Sequence, residues 1–131
     1  MITKGVKELC TEAEEIIETL TVQEVMNVRD DPDVELVDIR DIRELWRDGA
    51  IPGAWHVPRG MLEFWIDPQS PYAKERFQSG KKFIIFCAGG LRSALAGRAA
   101  HEMGLRPVAH MRGGFGAWKQ AGFPVETVEK K

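Results

Sequence analysis

A cysteine near the middle of the chain lies where a reactive thiol can form. An apolar run at 83–86 ends at Cys87, and a helix-like stretch follows after a short glycine-containing loop. The first N–H groups of a helix have no partners within the helix, and the helix dipole places partial positive charge there. With a neighbouring guanidinium, such a position can lower a thiol pKa from about 8.5 to roughly 3.5 to 7.5. Cys87 is therefore the candidate nucleophile.

The loop after Cys87 supplies the remaining candidate site residues, which are Ala88, Gly89, Gly90, Leu91, Arg92 and Ser93. We expect the amides of this loop to converge on an anionic sulfur, because its two glycines reach positive φ without steric cost. Arg92 stands at the predicted helix start, which favours anion binding or bracing of the loop over a solvated surface charge. We expect Ser93 to cap the helix, and its hydroxyl is also able to hydrogen-bond the Cys87 sulfur.

The second cysteine has a different sequence context. Cys10 belongs to a series with the spacing of one face of an amphipathic helix, consisting of Val6, Leu9, Cys10, Ala13, Ile16, Ile17 and Leu20. A thiol on such a face packs as a small apolar residue, and the alternative is a resolving thiol that reaches Cys87. Two cysteines are too few for a disulfide scaffold and fit a reducing compartment.

Composition excludes several classes of function. The 131 residues are 44% hydrophobic and 29% charged, with a formal net charge of -2, which fits one globular domain and lacks the basic excess of a nucleic-acid binder. No apolar stretch approaches the roughly 20 residues that span a bilayer, and the N-terminus has no signal-peptide core. We expect a cytoplasmic protein with no nucleic-acid or membrane partner.

Helix and strand signals alternate along the chain. Capping-box patterns at Thr21 and Asp41, with glutamate three residues later, mark two helix starts. The helices predicted after the N-terminal one lie at 21–27, 41–49, 61–66, 72–77, 93–103 and 115–120. The predicted strands lie at 35–39, 54–57, 82–86 and 107–111.

Strands separated by helices imply right-handed crossovers between parallel strands. The predicted fold is therefore α/β, with a central, mainly parallel sheet flanked by helices on both faces. Sites in such sheets form at the carboxyl ends of the strands, and Cys87 follows one such end.

Three segments of the chain resemble the single-domain rhodanese family of sulfurtransferases. The first runs from VDIR at 37–40 to GAIPGAWHVP at 49–58, the second is the loop CAGGLRS, and the third begins with MRGGF at 111–115. They occur in the family's order and spacing. The resemblance implies a rhodanese-like three-layer domain at 19–127, preceded by an amphipathic helix at 1–18 and followed by a tail at 128–131.

The resemblance also implies an enzyme of the thiosulfate sulfurtransferase type. A sulfane sulfur would pass from thiosulfate or a persulfide to cyanide, a thiol or an acceptor protein through a Cys87 persulfide, without a cofactor. This chemistry requires no separate general base. Arg92 is the only cation in the loop, whereas family members that favour thiosulfate often carry more, so the identity of the donor stays open.

The first family-like segment also contains polar residues that we expect to be structural, namely Asp38, Arg40, Glu44 and His56. We expect Arg40 to pair with a carboxylate, a helix cap to form nearby, and His56 to be packed or hydrogen-bonded. The histidines of the chain do not form a metal-spaced set with cysteine, so no metal is expected.

Two alternatives to sulfur transfer stay open. Cys-loop-Arg sites also serve phosphatases and arsenate reductases, but five residues separate the cysteine and arginine there and four do here. A smaller loop suits a single sulfur atom better than a tetrahedral oxyanion. The second alternative is a rhodanese-like carrier or binding module, in which Phe64 and Trp65 would form an apolar rim for an acceptor protein if they are not packed in the core.

Overall fold

The computed structural model describes residues 1–130 and contains one parallel sheet between two layers of helices. The strands are β1 (Glu18–Leu20), β2 (Val34–Asp38), β3 (Trp55–His56), β4 (Lys82–Phe86) and β5 (Val108–Met111). The helices are α1 (Val6–Ile16), α2 (Val22–Val28), α3 (Ile42–Asp48), α4 (Leu62–Ile66), α5 (Leu91–Glu102) and α6 (Gly114–Gln120). The sheet order is β1-β5-β4-β2-β3, and every pairing is parallel. The predicted α/β fold is confirmed.

The central strands are buried on both faces, which explains their continuous apolar runs. In β4, Phe83 and Ile85 pack with residues of α4 and α5, while Ile84 and Phe86 pack with residues of α2 and α6. Cys87 continues the first set and so points toward the α5 side of the sheet. The alternation of β4 thereby fixes the layer in which the candidate nucleophile lies.

Local capping signals place the helices that precede and follow the first central strand. Thr21 and Glu24 form a reciprocal capping box at the start of α2, and Asp41 and Glu44 form another at the start of α3. Each box satisfies backbone donors that the first helical turn would otherwise leave without partners. Both predicted helix starts are confirmed.

The structure differs from the sequence-based expectation in two elements. The apolar series at the N-terminus was expected to continue as helix through Leu20, but α1 ends at Ile16 and Leu20 belongs to strand β1, which pairs with β5. The stretch 72–77 was expected to be helical, but the chain forms turns there and then a short 3-10 helix at Glu75–Gln78. In the first case, backbone pairing with a distant strand overrides the local spacing.

The N-terminal helix lies against α5. Cys10, Ala13 and Ala94 form a small buried cluster between the two helices. Glu12 on the outer side of α1 contacts both Lys4 and Arg98, so ion pairs frame the same interface. Helix α1 is therefore packed onto the layer that contains the helix following Cys87.

The chain end returns to the body of the domain. Glu126 and Ala50 form an isolated antiparallel bridge, and the indole of Trp118 donates to the Pro124 carbonyl. Of the predicted tail, residue 131 lies outside the described residues. Within the described residues, no helix combines the length and apolarity that crossing a membrane requires.

Candidate active site

Strand β4 ends at the carboxyl edge of the sheet and carries Cys87 into the loop before α5. The sulfur is almost completely buried, with 1% of the residue exposed. Sγ accepts hydrogen bonds from the backbone N–H of Gly90 at 3.2 Å and of Ser93 at 3.4 Å. Donors aimed at sulfur favour the thiolate over the thiol. The geometry therefore provides an anion-stabilising position at Cys87.

Helix α5 begins at Leu91, two residues earlier than predicted, and its start differs from the expected cap. Gly90 is the N-cap residue, and no side chain caps the helix. The Ser93 hydroxyl instead lies 3.6 Å from Cys87 Sγ and 3.0 Å from His110 Nδ1. The expectation that Ser93 caps α5 is therefore wrong, because the Cys87 sulfur, and not the Ser93 hydroxyl, accepts hydrogen bonds from the free amides at this helix start.

The two glycines of the loop have different roles. Gly90 has φ +99°, a conformation that favours glycine, whereas Gly89 does not have positive φ. The expectation that both adopt positive φ is correct only for Gly90. A Cβ on Gly90 would lie 3.1 Å from the backbone nitrogen of Gly113, whereas one on Gly89 would meet no atom within 4 Å. Gly90 alone is required by the backbone path.

The start of α6 fixes the carbonyl groups of the loop. The N–H of Phe115 donates to the Cys87 carbonyl at 2.7 Å, and the N–H of Gly116 donates to the Ala88 carbonyl at 3.0 Å. Gly114 approaches so closely that a Cβ there would lie 2.4 Å from the Cys87 carbonyl oxygen. Because α6 binds the loop carbonyls, the loop cannot rotate freely about Cys87.

Arg92 braces the loop onto α3. Its guanidinium donates to both carboxylate oxygens of Glu44, at 2.9 and 3.0 Å. The hydrogen bond that Arg92 donates to Glu44 is the main cause that raises the pKa of Arg92, and the same bond lowers the pKa of Glu44. Cys87 is a lesser cause of the raised Arg92 pKa. Arg92 is 44% exposed, which leaves part of the guanidinium open to solvent.

A buried ion pair supports the neighbouring strand end. Arg40 Nη2 donates to Asp38 Oδ2 at 2.7 Å and to the carbonyl of Gly49 at 2.9 Å. The guanidinium also lies 4.1 Å from the ring centroid of Phe115. His56 Nε2 lies 2.7 Å from the Arg40 carbonyl oxygen. These residues join β2, β3 and α6 beside the loop and do not contact the sulfur.

The apolar residues of α4 divide between the core and the surface. Trp65 is partly buried against the cluster that contains Cys87, with its ring 6.0 Å from that of Trp55. Phe64 is 52% exposed and meets the ring of Tyr72 edge-on at 6.4 Å. Packing in the core therefore describes Trp65 but not Phe64. The role of both as a rim for an acceptor stays a prediction.

Sequence reasoning missed a series of polar side-chain contacts that leads away from the site on the α5 side of the sheet. His110 Nδ1 contacts Ser93, and His110 Nε2 lies 2.8 Å from Oε2 of Glu14 on α1. The only sequence signal was a histidine inside an otherwise apolar strand. Its partner lies 96 residues away along the chain, so no local pattern could find it.

The second cysteine lies beside the start of α5. Cys10 is buried and its Sγ lies 3.5 Å from the Leu91 carbonyl oxygen; burial is the main cause that raises the pKa of this thiol. Residues 1–130 contain no group of three or more His, Cys, Asp or Glu side chains that could hold a metal ion.

A buried cysteine whose sulfur accepts hydrogen bonds from two backbone amides lies at the carboxyl edge of a parallel sheet, which defines the class as an α/β domain with a thiol at that edge. The comparison with known families gives the particular one. Residues 21–121 match the model of the rhodanese-like domain, so the chain belongs to the rhodanese-like domain family.

Relatives and solved structures show the range of activities connected with this fold. The chain is 28% identical to the tRNA uridine(34) hydroxylase of Cronobacter sakazakii, covering 99% of this chain but 38% of that protein. It therefore spans about two fifths of the length of this curated relative. A structure from Rhodopseudomonas palustris, of unknown function and described as a possible tyrosine phosphatase, is 58% identical with a TM-score of 0.93, covering 96% of this chain and 97% of the other.

A sulfur-transferring protein is also among the structural neighbours. The polysulfide-sulfur transferase homodimer of Wolinella succinogenes is 26% identical with a TM-score of 0.71, covering 94% of this chain and 88% of that one. This similarity extends over nearly the whole chain.

Proposed function

We propose that this protein is a sulfurtransferase of the thiosulfate sulfurtransferase type, with Cys87 as the residue that carries the sulfur. The observation that supports this most directly is the pair of amides, from Gly90 and Ser93, directed at the buried Cys87 sulfur. Donor amides stabilise an anionic sulfur, and the thiolate is the nucleophilic form of cysteine. Membership of the rhodanese-like domain family adds independent support.

The reaction has two halves that share the same sulfur position. The Cys87 thiolate attacks the outer sulfur of thiosulfate or of a persulfide, a new S–S bond forms, and sulfite or a thiolate leaves with the electron pair of the broken bond. Cyanide, a thiol or an acceptor protein then attacks the terminal sulfur, and the Cys87 thiolate is regenerated. The amides of the loop stabilise the anion at the start and end of each half.

Phosphatase or arsenate reductase chemistry is less well supported by the loop. Four residues separate Cys87 from Arg92, which gives a smaller loop than a tetrahedral oxyanion needs. The Arg92 guanidinium donates to both carboxylate oxygens of Glu44, which directs the cation toward α3. The size of the loop and the bracing of Arg92 both favour a single sulfur atom as the group bound.

The test is to load the reduced protein with sulfur and to locate it. Thiosulfate and glutathione persulfide are offered separately, the protein is digested, and each cysteine peptide is weighed. We expect a gain of one sulfur on the Cys87 peptide, lost on addition of cyanide with release of thiocyanate. Cys87→Ser should not gain sulfur, whereas the matched control Cys10→Ser should gain it as the unchanged protein does.

The outcomes separate the candidate functions. A gain that cyanide and small thiols remove only slowly, but a partner protein removes quickly, would identify a sulfur carrier. Absence of any gain with both donors would contradict the proposal. Turnover of an aryl phosphate that depends on Cys87 would replace it with the phosphatase alternative.

We further propose that the protein works in the cytoplasm, where thiols are kept reduced. Both cysteines are free and neither forms a disulfide. A reducing compartment preserves the Cys87 thiol that the reaction requires.

A further inference from the structure

A continuous set of polar contacts joins Cys87 to the N-terminal helix. Cys87 Sγ lies 3.6 Å from the Ser93 hydroxyl, which lies 3.0 Å from His110 Nδ1. His110 Nε2 in turn lies 2.8 Å from Oε2 of Glu14. Cys87, Ser93 and His110 are buried, whereas the Glu14 side chain is half-exposed at the outer end of the series.

The chemistry of the partners fixes the direction of these hydrogen bonds. An ionised carboxylate only accepts, so His110 donates its Nε2–H to Glu14. In the neutral ring Nδ1 then has no proton and accepts one hydrogen bond, which comes from the Ser93 hydroxyl. The free lone pairs of that hydroxyl remain for the Cys87 S–H, which donates to it. All the donors of the series point from the sulfur toward α1.

The surroundings of His110 keep its ring neutral while Cys87 is a thiol. Burial is the main cause that lowers the pKa of His110, opposed by the hydrogen bond and charge of Glu14. Arg112, directly after the same strand, lowers it further. Thr19 of the neighbouring strand β1 is uncharged, and its hydroxyl donates to Glu14 at 3.3 Å. The ring is therefore neutral with Nδ1 accepting from Ser93, and the Glu14 anion beside Nε2 offsets part of the cost that burial places on the imidazolium.

We propose that Ser93, His110 and Glu14 form a proton relay that converts the Cys87 thiol into the thiolate. The Cys87 proton passes to the Ser93 oxygen as the Ser93 hydroxyl proton passes to His110 Nδ1. Thiol and neutral imidazole become thiolate and imidazolium, and the Glu14 carboxylate stabilises the imidazolium. Ser93 contacts the reacting atom, while His110 and Glu14 are positioning residues. The role in turnover rests on the proposed sulfurtransferase function, but the relay acts on the thiol itself.

This relay makes α1 a part of the active site. Glu14 lies on α1 (Val6–Ile16), outside the residues that match the family model, which begin at residue 21. The ion pair of Glu12 with Arg98 links the same helix to α5 without touching the relay. Two carboxylates of one helix therefore have separable roles, since one fixes the helix and the other completes the site.

The test measures the reactivity of the Cys87 thiol without any sulfur donor. The rate of iodoacetamide alkylation of the Cys87 peptide is followed from pH 5 to 10 by mass spectrometry. We expect the midpoint of the profile to rise by about one pH unit in His110→Asn, a tenfold loss of thiolate near neutrality. Glu14→Gln should raise it by about half a unit, because solvent screens the carboxylate. Glu12→Gln, the matched control, should not shift it.

A second measurement covers the case in which a buried substitution disturbs folding. The ¹⁵N shifts of the His110 ring in the unchanged protein should show a proton on Nε2 and none on Nδ1 at neutral pH. The opposite tautomer would overturn the relay, as would a profile that moves equally in Glu14→Gln and Glu12→Gln or in neither. If alkylation behaves as expected but Cys87 takes up no sulfur, the sulfurtransferase proposal fails and the relay stands.

Discussion

At the scale of single residues, a few backbone groups determine the surroundings of the Cys87 sulfur. Its sulfur is held by two amides, and one of them belongs to Gly90, the only residue of the loop with positive φ. Since these donors are fixed by the chain path, the site does not need to reorganise when negative charge develops on sulfur. The neighbouring side chains then act on a sulfur position that the backbone amides already define.

The two loop glycines allow a matched test of this dependence. Gly90→Ala forces a side chain into positive φ next to the Gly113 backbone, so we expect about 1–3 kcal/mol lower stability and slower sulfur loading of Cys87. Gly89→Ala points into open space and should change stability by less than about 0.5 kcal/mol. Chemical denaturation and the rate of the one-sulfur mass gain are measured for both. Equal effects in the two variants would contradict the assignment of Gly90.

The pair formed by Arg92 and Glu44 predicts a dependence of stability on pH. Folding lowers the pKa of Glu44, chiefly through the Arg92 hydrogen bond, so the ionised carboxylate favours the folded state. This contribution is complete above the ordinary value of 4.5 and is lost as the pH falls through the lowered folded-state pKa. The unchanged protein should therefore have a higher melting temperature than Glu44→Gln near neutral pH, and this difference should become smaller at acidic pH.

A matched control for this experiment is Glu102→Gln. Glu102 forms an exposed pair with Arg98 on α5, and such pairs contribute little to stability. Its substitution should change the melting temperature less than Glu44→Gln does at neutral pH. A Glu44→Gln effect that is constant from neutral pH into acid would show that packing, rather than charge, accounts for it.

At the scale of elements, α1 and α5 together enclose the sulfur side of the sheet. Cys10 lies in their interface, and burial raises the pKa of its thiol, which makes it a poor nucleophile. We expect Cys10→Ala to lower the free energy of unfolding by about 1 kcal/mol and to leave sulfur loading of Cys87 unchanged. Denaturation and peptide mass measure the two effects. After sulfur loading, a mass 2 Da below that of the reduced protein, seen in the unchanged protein and absent in Cys10→Ala, would instead show a resolving thiol.

The elements that sequence analysis predicts correctly are those with strong local signals. The capping box of Asp41 and Glu44 defines the start of α3 because its two hydrogen bonds span only three residues. Strand β4 is recognised from a continuous apolar run. Strand β1 was missed because it is short, continues the apolar spacing of α1 and becomes a strand only by pairing with β5. Long-range pairing of this kind leaves no local pattern.

The same distinction applies to the candidate site. Its loop is one contiguous segment, so Cys87 and its neighbours could be selected from their order alone. The contacts of Arg92 with Glu44 and of His110 with Glu14 join residues 48 and 96 positions apart. Such partners become known only when the fold brings α1 and α3 to the edge where β4 ends.

At the scale of the whole molecule, the buried pair of Asp38 and Arg40 links the sheet to α3 and α6. Asp38→Ala leaves the Arg40 guanidinium buried without its counter-ion, and we expect a loss of about 3–5 kcal/mol in the free energy of unfolding. The double substitution Asp38→Ala with Arg40→Met removes both charges and should be more stable than Asp38→Ala alone. Chemical denaturation of the three proteins measures this. A double variant less stable than the single one would show that the Arg40 contacts to Gly49 and Phe115 dominate.

The two outer strands are short, since β1 has three residues and β3 has two. Each edge of the sheet therefore presents few unpaired backbone N–H and C=O groups to another chain, and edge-to-edge aggregation is disfavoured. Concentrated solutions should accordingly stay free of β-type fibrils as long as the domain is folded. Most of the surface of the domain is therefore formed by the helical layers and by the loops where the strands end.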